Sequence, residues 1–156
     1  GSGTDVLLGD PGEALRARGQ GLPIKPFIAT VNKYASHVVV RAEHLQRLNV
    51  TMDSPTPARI AALRGLRLGT TGAGAAPDSL FRWLLAQGGM DASRDVRLVP
   101  VQGGGPALLA ALGQNVIDGF CLSSPTADLA VRRFGCAYLF DMGLNPPEAM
   151  REHQYI

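Results

Sequence analysis

The sequence predicts an α/β protein built on a doubly wound, mainly parallel sheet with helices on both faces. Three observations carry this. Short apolar runs of the length of buried strands alternate with stretches of helical periodicity. The connections between them are short and glycine-rich. Proline follows a strand and opens a helix at Pro11, Pro77, Pro106 and Pro125, where its fixed φ and missing N–H suit the first turn. Strand–helix alternation on short loops is the pattern of right-handed βαβ units.

The elements follow in order. Residues 5–9 (DVLLG) read as a buried strand. Asp10 caps the helix that follows, with Pro11 at its first position and the helical stretch over 14–18. Residues 27–31 give a second strand and 37–41 (HVVVR) a third, β-branched and continuous as buried strands are. A helical turn over 43–48, a connector over 51–57 broken by Pro55 and Pro57, and a short helix over 58–63 lead into the repeats.

The repeats comprise strand 66–71 and helix 77–87, strand 96–101 and helix 107–112, strand 116–122 and helix 126–133, then a last strand at 137–140. In the helix over 77–87, the spacing of Leu80, Trp83, Leu84 and Gln87 predicts one core-facing stripe.

Composition excludes several classes. The 156 residues are 46% hydrophobic and 18% charged, with net charge +2 and basic residues scattered along the chain. Nucleic-acid binders concentrate their positive charge, so none is expected as a partner. No apolar run reaches the length of a membrane span, and no signal peptide opens the sequence. The three histidines have no metal-ligand spacing, so neither metal nor cofactor is expected. Cys121 and Cys136 lack Cys-x-x-Cys spacing. A single bridge is open to them in an oxidising compartment, and two buried thiols are the simpler reading.

Function is expected at the carboxyl edge of the sheet, where parallel βα units gather their helix starts. Asp10 and Ser124 can cap their own helices, whereas Ala76 and Gly105, at the expected N-cap positions, have no side-chain oxygen. The loops Gly72-Ala73-Gly74-Ala75-Ala76 and Gly103-Gly104-Gly105 are therefore the predicted seats for an anionic group. Thr70, Thr71, Ser123 and Ser124 add hydroxyls, and Tyr34 is the aromatic best placed to touch a ligand. Asp78 and Asp118 are explained by dipole compensation and a strand-end turn.

The segments LRGLRLGTTGAGAAPDSLFRWLLAQGGMD, RDVRLVPVQGGGPALLAALGQNVIDGF and CLSSPTADLAVRRFG resemble the second lobe of the substrate-binding proteins of ABC importers. The resemblance is to the nitrate/sulfonate/taurine and thiamine-precursor (NMT1/THI5-like) group. DVLLGDPGEALRARGQGLPIKPFIATV and HVVVR are similar to part of that group's first lobe.

The resemblance implies a type II periplasmic-binding-protein fold, with a partial first lobe and linker over 1–64, a second lobe over 65–141 and a return linker from 142. Crossings between lobes would lie near 49–64 and 140–147. It further implies a periplasmic or lipid-anchored location, hinge closure on a small anionic organic ligand (a sulfonate, a carboxylate or a pyrimidine precursor), and docking on an ABC permease in the membrane. No catalysis is implied.

Ligand contacts would come from Thr71 to Ala76, Gly103 to Gly105, Ser123 and Ser124. Asp10, Pro11 and Gly12 would face them from the first lobe. An incomplete first lobe leaves a swapped dimer as one way of supplying the missing strand. The effector-binding core of a LysR-type regulator shares the architecture, and a THI5-like pyrimidine-precursor enzyme is the other alternative.

Overall fold

The computed structural model describes residues 5–6, 11–28 and 34–151. The chain divides into two compact units, 1–32 with 154–156, and 33–153. In the first unit, helix α1 spans Pro11–Gly19, with Pro11 opening it as the sequence predicts. Most of the strand expected over 5–9, and residues 29–31 of the next, lie outside the described residues. Phe27 and Ile28 are not in a strand.

The second unit carries β1 (Ser36–Arg41), α2 (Ala42–Arg47), α3 (Thr56–Ala61), β2 (Arg67–Thr70), α4 (Ala76–Gln87), β3 (Arg97–Pro100), α5 (Gly104–Gly113), β4 (Gly119–Ser123), α6 (Thr126–Phe134) and β5 (Cys136–Asp141). The strands form one five-stranded sheet in the order β3-β2-β4-β1-β5. β2 runs parallel to β3 and β4, while β1 runs antiparallel to both β4 and β5. β2 to β5 therefore point one way and β1 alone is reversed, which gives the mainly parallel sheet that the βα repeats predict.

The compact body begins at Lys33, so it contains β1, which the sequence reading set ahead of the boundary at 64/65. The reason is chemical: Val38, Val39 and Val40 are fully buried, and a strand apolar on both faces needs helices packed on both sides of its sheet. Val38 and Val40 join Leu45 of α2, Ile60 of α3 and Leu80, Phe81, Leu84 and Leu85 of α4 on one face. Val39 joins Leu108 and Leu112 of α5 and Ala127 and Ala130 of α6 on the other. On α4 the buried stripe takes Phe81 and Leu85 and leaves Gln87 in solvent; Trp83 packs against the core from a half-buried position.

Glycine is required where backbones close in. A Cβ on Gly119 of β4 would lie 2.4 Å from the Val39 carbonyl oxygen of β1. The amino edge of the sheet is pinned by Arg67, whose Nε donates to Asp118 at 3.0 Å and whose backbone amide donates to the same carboxylate at 2.8 Å. Because β1 is reversed, its first residues Ser36 and His37 reach the opposite edge. There they stand beside Ser123 of β4 and Asp141 of β5.

Candidate functional site

That edge collects the starts of α4, α5 and α6. At α4 the N-cap is Ala75, in extended conformation and with no side-chain cap; Ala76 is already helical. Two amides of this loop are taken within the chain, where the sequence reading expects them open. Gly74 N–H donates to Asp78 Oδ2 at 3.1 Å, and Ala75 N–H donates to the Gly72 carbonyl at 3.2 Å. Asp78 is 4% exposed and is gripped by Arg82, whose Nε donates to Oδ2 at 2.9 Å.

The Arg82 guanidinium, followed by the Gly74 amide, holds this carboxyl below the usual carboxylate range against the opposing effect of burial. The acid in the first turn thus reaches back as the far half of a capping box does. Tyr34 is also here, its hydroxyl donating to the Ala76 carbonyl at 3.4 Å.

α5 begins at Gly104, earlier than predicted. Gly103 is its N-cap, with φ of 105°, and Gly104 has φ of 66°. Left-handed glycines let the first turn close before Pro106, which consequently lies in the third position of the helix. No side chain caps this helix, and apart from the adjoining chain nothing described lies within 4 Å of where a Cβ on Gly104 would stand. Next to it, a Cβ on Gly105 would fall 2.3 Å from Thr126 Oγ1. The starts of α5 and α6 are therefore neighbours.

Ser124 does not cap α6. Pro125 takes the N-cap position and no side chain caps the helix. The Ser124 hydroxyl is turned toward Asp128, which also accepts a hydrogen bond from Tyr138 at 2.5 Å. Tyr138, then Ser124, hold the Asp128 carboxyl low, while burial and then Asp128 push the Tyr138 phenol up to about 12. Behind them His37 meets the Tyr138 ring edge-on at 5.5 Å. Its Nδ1 comes within 3.1 Å of Asp141 Oδ1, but off the line a hydrogen bond requires.

Sequence reasoning missed this group. His37 and Asp141 arrive together only because β1 is reversed, and no local signal announces a reversal.

Of the predicted contacts, Thr71 to Ala76, Gly103 to Gly105, Ser123 and Ser124 share this edge. Pro11 and Gly12 belong to the other unit, and Asp10 lies outside the described residues. Cys121 and Cys136 are free and buried. They lie on β4 and β5 with β1 between, in cores on opposite faces, which excludes a bridge between them. Burial pushes their thiols up to about 12 and about 11. Among the described residues no His, Cys, Asp and Glu gather as a metal site requires.

Known proteins match this chain in both sequence and fold. The nitrate/nitrite binding protein NrtA of Nostoc sp. (strain PCC 7120) is 30% identical over 131 residues, which cover 73% of this chain and 29% of that protein. A protein of Bordetella bronchiseptica RB50 superposes with a TM-score of 0.61 at 22% identity over 83% of this chain and 37% of its own. The periplasmic nitrate-binding protein NrtA of Synechocystis PCC 6803 gives 0.55 at 22% identity over 72% and 28%. The periplasmic aliphatic sulphonate binding protein SsuA of Escherichia coli gives 0.52 at 21% identity over 74% and 36%.

The chain thus spans about a third of the length of these relatives, and those whose names state a role are binding proteins, not enzymes. The profile of the NMT1-like family matches residues 18–150, and the chain belongs to that family.

Proposed function

We propose that this chain is the solute-capturing part of an ABC-type import system, seating the anionic group of a small organic ligand (a sulfonate, a carboxylate or a pyrimidine precursor) at the carboxyl edge of its sheet. The observation that carries this is the pair of adjacent helix starts, α5 and α6. Neither has a side-chain cap, and glycine at 103–105 puts no side chain over the start of α5. The positive ends of two helix dipoles meeting at one place favour an anion over water.

The α4 loop is the poorer seat, because Asp78 already occupies the Gly74 amide. In this reading Ser123 supplies a hydroxyl, while that of Ser124 is taken by Asp128. The lobes close by a hinge, and the complete protein works outside the cytoplasmic membrane and docks on a permease. The names of the relatives support transport over catalysis.

The test compares two matched substitutions. Gly74 and Gly104 both have positive φ and open space at the missing Cβ, so alanine at each carries a similar backbone strain of about 1–2 kcal/mol. Titration calorimetry with small sulfonates, carboxylates and nitrate is expected to show Gly104→Ala weakening the best ligand about tenfold. Gly74→Ala should leave it within about twofold. A ligand indifferent to Gly104→Ala would remove the α5–α6 seat.

A further inference from the structure

Arg41 ends β1, and among the described residues it forms no ion pair. Its guanidinium goes instead to the carboxyl ends of two helices. Nη2 donates to the Leu112 carbonyl in the last turn of α5 at 2.5 Å, and to Asn115 Oδ1 just beyond that helix at 2.6 Å. Nη1 donates to the carbonyl of Phe134, the last residue of α6, at 3.4 Å. The backbone beneath is fixed: the Arg41 amide donates to the Asp118 carbonyl at 3.0 Å, and Arg41 pairs in register with Cys136 of β5. Meeting carbonyls on two helices at once suits a planar fork, whereas a lysine ammonium is a single point on a flexible stem.

The helices themselves are neighbours at both ends. β3, β4 and β5 point one way, so α5 and α6 return in the same direction, packed into one core. At the carboxyl ends a Cβ on Gly113 would stand 3.0 Å from Phe134 Cε1, and at the amino ends one on Gly105 would stand 3.3 Å from Thr126 Cβ. Parallel helices side by side bring like dipole ends together, negative with negative and positive with positive. At the negative pair Arg41 offsets the repulsion, and α5 has no basic residue in its own last turn. At the positive pair α6 carries Asp128 in its first turn, while α5 has no acid there.

We propose that Arg41 is the positioning residue for the paired starts of α5 and α6. By holding both carboxyl ends it fixes where both amino ends stand, about 13–15 Å away along helices of ten and nine residues. Its importance for ligand capture rests on the reading above, in which those two starts seat the anion. Arg41 touches no ligand in that reading; it acts through the two helices.

A disulfide across the two starts measures their relation without any ligand. Gly105→Cys with Thr126→Cys puts the two Cβ atoms 3.3 Å apart before relaxation, within a few tenths of an ångström of a bridging separation. The equilibrium of that bridge in a glutathione buffer gives the effective concentration of one engineered thiol at the other. Cys121 and Cys136 are buried and do not compete. Adding Arg41→Lys is expected to lower the effective concentration about tenfold. Adding Asn115→Gly keeps the left-handed backbone of φ 56° and removes one acceptor; it should lower the value about threefold. Asp78→Ala, which loosens a different helix, should leave it within about twofold.

An effective concentration unmoved by Arg41→Lys would overturn the proposal. So would an equal fall with Asp78→Ala, which would show general loosening. Titration calorimetry connects the result to capture: Arg41→Lys alone is expected to weaken the best of methanesulfonate, acetate and nitrate about fivefold. Full affinity in that variant would overturn the part given to Arg41 in the seat. A chain that binds none of the three would remove the capture reading and leave the thiol result standing.

Discussion

At the scale of single residues, one carboxylate decides what a helix start can offer. Asp78 turns the loop before α4 from an open cradle into a closed turn, because its oxygens take the Gly74 amide and the Arg82 guanidinium together. Removing it should cost stability through the lost cap and the stranded amide, with little from the Arg82 charge, which is largely solvated. Asp78→Ala is expected to lose about 1–2 kcal/mol in urea unfolding, and an unchanged midpoint would refute the closure. The same substitution should not weaken a ligand held between α5 and α6. Cys121 and Cys136 make a second prediction at this scale. As buried, unpaired thiols with raised pKa, both should resist an aromatic disulfide reagent at pH 8 while the chain is folded. Both should then titrate fully in denaturant; a chain releasing no thiol on unfolding would mean a bridge after all.

At the scale of elements, β2 to β5 and the helices between them were legible because their signals are local. Apolar runs set the strands, and Gly88-Gly89, Gly113 and the prolines mark the helix ends. Two things were not legible. The direction of β1 depends on partners about eighty residues away in β4 and about a hundred away in β5, and its apolar run Val38 to Val40 reads the same either way. The N-caps depend on loop geometry: left-handed Gly103 starts α5 early, and Asp128 draws Ser124 away from capping α6. The reversed strand also yields a prediction. A methyl on Gly119 meets the Val39 carbonyl, which is fixed backbone, whereas a methyl on Gly69 meets Ile117 Cδ1 at 2.7 Å and Leu108 Cδ2 at 2.8 Å, both flexible side-chain ends. Gly119→Ala should therefore destabilise by about 3 kcal/mol or more and Gly69→Ala by about 1–2 kcal/mol. The opposite order in chemical denaturation would mean that β1 does not lie against β4 as described.

At the scale of the whole molecule, the titrating groups bracket a pH range in which this fold is most stable. Asp78, Asp118 and Asp128 are all held below their ordinary value of 3.8, each chiefly by a hydrogen bond to its partner: Arg82, Arg67 and Tyr138. A depressed carboxyl means that the unfolded chain binds protons more readily than the folded one. Their contribution is thus complete above about pH 5 and is lost as pH falls through 3.8 toward the folded values. On the alkaline side the thiols of Cys121 and Cys136 are raised from 9.0 to about 12 and about 11. The unfolded chain then loses protons first, and stability declines once pH passes 9. Urea midpoints are therefore expected to form a plateau between about pH 5 and pH 9, falling on both sides. Asp118 is the group to remove, because its oxygens hold both the Arg67 side chain and the Arg67 backbone amide at the sheet's amino edge. Asp118→Asn should lower the plateau by about 1–2 kcal/mol and make the acid limb shallower, since one proton-linked group has gone, while leaving the alkaline limb unchanged. An acid limb as steep as before would mean that the Arg67–Asp118 pair does not tie the edge where β2 and β4 begin.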